Sequence, residues 1–172
     1  MPRGRPTHLP ARAAAAPLYT PEQRRRRDAS PWTLVQGVLA PLQFAIFAVS
    51  LVLVLRYLGT GEGYAVATAS VVAKTAALLA IMVTGALWEK AVFGRYLLAP
   101  AFFWEDVVSF GVIELHLAYV AALAWDLLAP TALMALALAA YAAYVVNAAQ
   151  FVLKLRRARL DAGGAPRAAV AA

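Results

Sequence analysis

The chain has 172 residues, 63% of them apolar and 15% charged, with a mean hydropathy of +0.67 and a formal net charge of +7. A soluble domain is about 45–50% apolar and about 25% charged, so this composition excludes an ordinary soluble globule and a disordered chain alike. Cysteine is absent, which removes disulfides, thiolate metal sites and cysteine nucleophiles.

Residues 1–31 read as a basic, disordered leader. Pro2, Pro6, Pro10, Pro17 and Pro21 prevent a long helix there. The apolar run at 13–16 is too short for the core of a cleaved signal. Ser30 and Pro31 form a helix start, as N-cap and first helical residue. Four apolar segments follow, at about 32–58, 64–88, 102–128 and 131–153. Each exceeds the ~20 residues that cross a hydrocarbon layer. The predicted fold is an all-α, integral membrane four-helix bundle over 32–155. Gly59, Gly61 and Gly63 mark a tight turn, Pro130 splits the last two segments, and 89–101 is a longer connection. Residues 156–172 form a tail, basic and then Gly/Ala-rich.

Charge placement predicts the topology. Seven Arg residues lie in the leader, Lys90 and Arg95 in the middle connection, and five Lys or Arg from Lys154 onward. Those fourteen share one side of a four-span protein, against Arg56 on the other, with Lys74 inside the membrane. The positive-inside rule puts both termini in the cytoplasm. Basic residues gathered at span ends also argue against nucleic acid as a partner. Only His8 and His116 are available, too few at membrane depth for a bis-histidine haem within one chain. No nucleotide-binding or metalloprotease motif occurs.

Each polar group at membrane depth needs a reason. Gln36 and Gln43 share one face of the first span, with Thr33 and Ser50; helix–helix hydrogen bonding is their simplest use. On the third span Glu105, Ser109, His116 and Tyr119 form one stripe, and Glu114 points the opposite way. Glu105 and Asp106 stand at the start of that helix, beside Trp104; they either complement its dipole or form a reactive carboxyl pair. Lys74 and Glu114 reach matching depths near the midplane, so the expectation is a structural ion pair. Asn147, Gln150 and Lys154 share a face of the last span, near Tyr144. With Glu89 these groups converge on the cytoplasmic half, either as a pocket or as separate interhelical hydrogen bonds.

The strings "LYTPEQRRRRDASPWTLVQGVLAPLQF", "TGEGYAVATASVVAKT", "GALWEKAVFGRYLLAPAFFWEDVVS" and "YAAYVVNAAQFVLKLRRARL" lie between Leu18 and Leu160. Together they resemble the 3-vinyl bacteriochlorophyllide hydratase family. The resemblance implies a membrane lyase of bacteriochlorophyll biosynthesis, in the cytoplasmic or intracytoplasmic membrane of a photosynthetic bacterium. It implies a chlorophyllide-type magnesium tetrapyrrole as substrate, whose C3-vinyl group gains water and becomes a 3-(1-hydroxyethyl) group. Membrane lipid and other enzymes of the same biosynthesis are the expected neighbours. The alternative is a non-enzymatic tetrapyrrole carrier or membrane scaffold.

Hydration needs an acid, a water-orienting base and a slot for a flat apolar ring, and no redox cofactor. Glu105 or Asp106 is the preferred acid, the other orienting water, because adjacent like charges oppose double ionisation. His116 has three readings: a ligand to the substrate's magnesium, a proton shuttle, or a satisfied core histidine. Lys90, Arg95 or Lys154 would hold the propionate. Gln36, Gln43, Glu89, Trp104, Asn147 and Gln150 complete the expected substrate pocket.

Overall fold

Thr20 caps the first helix. Its hydroxyl accepts from the Gln23 N–H at 3.2 Å and the Gln23 side chain accepts from the Thr20 N–H at 2.9 Å, a reciprocal capping box. The computed structural model describes residues 18–163, which form five helices and no strand: α1 (Pro21–Ala29), α2 (Pro31–Thr60), α3 (Tyr64–Phe93), α4 (Phe103–Ala124) and α5 (Pro130–Gly163). The last four are long and apolar enough to cross a membrane. The expectation of a disordered leader is corrected for 21–29, where the capping box and Pro21 start a helix. It is also corrected at the other end: 156–163 continue α5 instead of opening a tail. The expectations for 1–17 and 164–172 lie outside the described residues.

The turns follow the glycines. Gly61 (φ 75) closes α2 with its N–H on the Tyr57 carbonyl, Gly63 (φ 85) opens α3, and Gly94 (φ 83) closes α3 on Lys90. Only glycine adopts these left-handed angles without strain. Ser30 occupies the N-cap of α2 beside Pro31, but its hydroxyl makes no cap bond. Thr33 does the local work, donating to the Arg27 carbonyl at 2.6 Å and accepting from Trp88 Nε1 at 3.0 Å.

α2 packs antiparallel on α3, and α4 on α5. The two hairpins meet through α2–α5, α3–α4 and α3–α5, and α1 lies on α3. Phe47, Val54, Val71, Leu78, Val112, Leu133, Met134 and Tyr141 fill the centre. Leu34, Val38, Val52, Val83 and Val152 remain exposed on the outer faces, where lipid is their natural solvent. The end where α2 and α4 begin and α3 finishes is called proximal below, and the other end distal.

A separate aromatic cluster closes the proximal end. Tyr19 stacks on Phe93 at 5.9 Å, Phe102 stacks on Phe151 at 5.9 Å, and Trp88 meets Phe102 edge-on at 5.5 Å. Tyr19, 6% exposed, thereby pins the segment before α1 to the ends of α3 and α5, and Arg27 lies over its ring at 4.9 Å. Tyr19→Ala is expected to lower stability by roughly 1–3 kcal/mol. Tryptic cleavage at Arg24–Arg27 should accelerate with it; unchanged cleavage would mean that α1 holds its place without Tyr19.

The expected Lys74–Glu114 ion pair does not form. Lys74 is fully buried, whereas Glu114 is exposed on the outer face of α4. Matching depth along two helices says nothing of their rotation, and packing turns these two side chains apart. Trp104 is 69% exposed, so it does not shield the neighbouring carboxyls.

Candidate active site

Glu105 and Asp106 are consecutive on α4, so they leave the helix about 100° apart and reach different neighbours. Glu105 faces α5 and pairs with Lys154, Nζ to Oε2 at 2.5 Å. Asp106 turns instead to the 94–102 connection, which also holds Glu89 of α3. Two buried carboxyls held by one short connection oppose double ionisation. The carboxyl that shares a connection with Asp106 is thus Glu89, on a different helix, and not its sequence neighbour Glu105.

The connection 94–102 fixes that pair from above. The Leu98 N–H donates to Asp106 Oδ2 at 2.7 Å, and the Ala99 N–H donates to Glu89 Oε2 at 3.1 Å. Leu98 pays for this contact with a left-handed backbone (φ 58), which costs on the order of 1–2 kcal/mol for a residue with a Cβ. Glu89 and Asp106 are 5% and 3% exposed. Sequence reasoning missed Leu98, since nothing in an ordinary leucine announces a positive φ. Gly94 and Pro100 mark the connection itself.

Two clefts flank the carboxyls. The larger, about 820 Å³, is lined by Arg95, Tyr96, Leu97, Leu98, Pro100, Phe103 and Trp104, and it lies within the roughly 300–1,000 Å³ usual for small-molecule sites. Arg95 Nη1 donates to the Leu98 carbonyl at 3.3 Å, so the cation stands at the rim. The smaller cleft, about 370 Å³, is lined by Glu105, Gln150, Lys154 and Arg157, with Leu18, Leu153 and Ala158. Asn147 Nδ2 donates to Ser109 Oγ at 2.8 Å, and Ser109 donates to the Glu105 carbonyl. Asn147 Oδ1 and Gln150 Oε1 are buried acceptors without a donor.

The other expected residues are dispersed. Lys90 is exposed and closes α3 by donating to the Gly94 carbonyl at 3.0 Å. Gln36 Nε2 donates to Thr84 Oγ1 at 2.8 Å, which joins α2 to α3. Gln43 is buried further along α2. His116 lies eleven residues beyond Glu105, roughly 16 Å deeper along α4, with no exposed surface. The structure therefore brings together Glu89, Glu105, Asp106, Asn147, Gln150 and Lys154, places Arg95 and Trp104 on the adjoining cleft, and leaves Gln36, Gln43 and His116 apart.

These features define a small multi-pass membrane protein with a carboxyl-centred site at one end of its helices. The profile of the family described as "2-vinyl bacteriochlorophyllide hydratase (BCHF)" matches residues 19–157, and the chain belongs to that family. A 2-vinyl bacteriochlorophyllide hydratase of Cereibacter sphaeroides is 68% identical over 147 residues, covering 84% of this chain and 89% of the relative. One of Rhodobacter capsulatus is 64% identical over 148 residues, covering 84% of each. No solved structure matches the chain.

Proposed function

We infer that this protein is a hydro-lyase that adds water across the vinyl group of a bacteriochlorophyllide in bacteriochlorophyll biosynthesis. The vinyl carbon is numbered 2 in the relatives' names and 3 in the resemblance drawn from the sequence. The observation that carries the placement of the reaction is the Glu89–Asp106 pair: two buried carboxyls from different helices, each fixed by a backbone N–H of one connection, behind a cleft of ligand size.

The chemistry divides between the two sides of α4. The proton shared by Glu89 and Asp106 goes to the terminal vinyl carbon, whose π electrons form the new C–H bond. Positive charge appears on the adjacent carbon and spreads into the ring. Water attacks that carbon and loses its proton to the Glu105 carboxylate, which Lys154 holds in place. Gln150 Oε1, an acceptor without a donor on the same cleft, holds the water's other O–H group. Solvent exchange returns the proton to the Glu89–Asp106 pair, and the balance is one water added. The macrocycle lies against Tyr96, Phe103 and Trp104 in the larger cleft, and Arg95 binds its propionate.

The assay is incubation of purified protein with the vinyl pigment. The expected result is a blue-shifted product heavier by one water. Pigment bound without conversion would support a carrier instead.

The proximal end faces the cytoplasm in this reading. Among the described residues it carries Arg24–Arg27, Lys90, Arg95, Lys154, Arg156, Arg157 and Arg159, and the distal turn carries Arg56 alone. Reporter fusions at residue 61 and after residue 172 should report periplasm and cytoplasm respectively. The reverse pattern would overturn the orientation.

A further inference from the structure

Glu114 stands on the outer face of α4, about 17 Å from Phe103 along a helix of 22 residues, which is the middle of the span. Other charged side chains on the outside, among them Arg56, Lys90, Arg95 and Asp126, lie at the ends of the helices. Among the described residues no ion pair includes Glu114. A lone carboxyl facing hydrocarbon is costly. The face around it is otherwise apolar. At 100° per residue Val107, Phe110, Gly111, Leu117 and Ala118 fall within about 60° of Glu114, and all five are exposed. Val107, Phe110, Glu114 and Leu117 step by three, four and three residues, the spacing of a seam between two helices. Gly111 is a second, independent observation. A Cβ placed there meets nothing within 4 Å. No contact inside the chain therefore needs its missing side chain, although glycine weakens a helix interior. Bare backbone on an outer face lets a second helix approach closely.

Chemistry and symmetry select that second helix. Copies of one chain insert with one orientation. Their α4 helices then run parallel, and a two-fold axis along the membrane normal brings each residue to its own counterpart at equal depth. A protonated carboxyl donates and accepts at once, so two of them are mutually complementary. Among the described residues no other ionisable group on the outer surface reaches that depth, so a second copy can satisfy Glu114 only through its own Glu114. We propose that the outer face of α4 is the interface with a second copy of this chain, a parallel helix pair in which Gly111 sets the close approach and Glu114 hydrogen-bonds the partner's Glu114 across the two-fold axis. The interface goes beyond the hydration chemistry and does not depend on it.

The test is association of the purified full-length chain in lipid vesicles. It is read as energy transfer between populations labelled at the N-terminus with donor or acceptor, while added lipid dilutes them. The expected result is a dimer. Glu114→Leu should weaken it roughly 5–30-fold, the range of one interhelical hydrogen bond. Glu114→Gln, whose amide also donates and accepts, should retain it. Gly111→Leu should weaken it too, and both positions face outward, so the fold of each copy stays intact. The chain has no cysteine, so single cysteines report contact directly. Val107→Cys and Ala118→Cys should give disulfide-linked dimers on oxidation in the vesicles, and Val72→Cys on the outer face of α3 should not. A monomer at every dilution would leave the face to lipid or to an unlike protein and overturn the proposal. So would a Glu114→Leu dimer as tight as the native one, a Glu114→Gln dimer as weak as that of Glu114→Leu, or cross-linking that favours Val72→Cys.

Discussion

Asp106→Asn and Glu89→Gln are each expected to lower the hydration rate by roughly 10²–10⁴-fold, the usual loss when a general acid is removed. Both substitutions keep the shape of the side chain. Both also keep an oxygen that accepts from the Leu98 or Ala99 N–H, so the 94–102 connection should stay anchored. What disappears is the proton that the proposed mechanism assigns to the two carboxyls. Pigment binding should therefore survive while turnover falls, which separates a chemical role from a structural one. Glu105→Gln should act differently. It leaves the shared proton in place and weakens deprotonation of the attacking water, so its loss should be partial and accompanied by weaker folding. Near-normal turnover in both Asp106→Asn and Glu89→Gln would reduce the pair to an anchor for the connection and move the acid to Glu105.

The helices and turns were readable because their causes are local. Runs of apolar residues exceed a membrane thickness, and glycines stand where the backbone turns left-handed. Depth was readable too, since rise per residue is constant. Rotation was not. Lys74 and Glu114 match in depth, but α4 turns Glu114 outward and leaves Lys74 over Tyr144. Glu105 and Asp106 read as one pair because they are adjacent, yet a 100° step sends one to Lys154 of α5 and the other to the 94–102 connection. Which face of a helix meets which neighbour depends on packing between distant segments. Gln36 shows the same limit: helix contact is the simplest use of its amide, but nothing local in the sequence says that Thr84 of α3 stands opposite. The start of α1 has a local cause of another kind. The leader's prolines argue against a long helix, but Thr20, Pro21 and Gln23 suffice to start a short one, and Tyr19 docks it on the aromatic cluster.

The Lys154–Glu105 pair yields the second large effect. Side-chain exposures of 27% and 10% place it between a surface ion pair and a buried one. Lys154→Met leaves the Glu105 carboxylate buried without its cation, with Arg157 on the same cleft too exposed to replace it fully. Breaking a buried pair costs about 3–5 kcal/mol, and the residual exposure puts this one toward the lower end. Glu105→Gln alone should cost less, because an unpaired lysine at this rim can extend into water. The double variant Lys154→Met with Glu105→Gln removes both charges and should recover more than half of the Lys154→Met loss. Denaturation of the detergent-solubilised proteins gives the three values for a double-mutant cycle. Additive losses would mean that the two side chains are stabilised independently. In that case Lys154 would act through its ammonium over the Phe102 ring, 5.1 Å from the centroid, and not through Glu105.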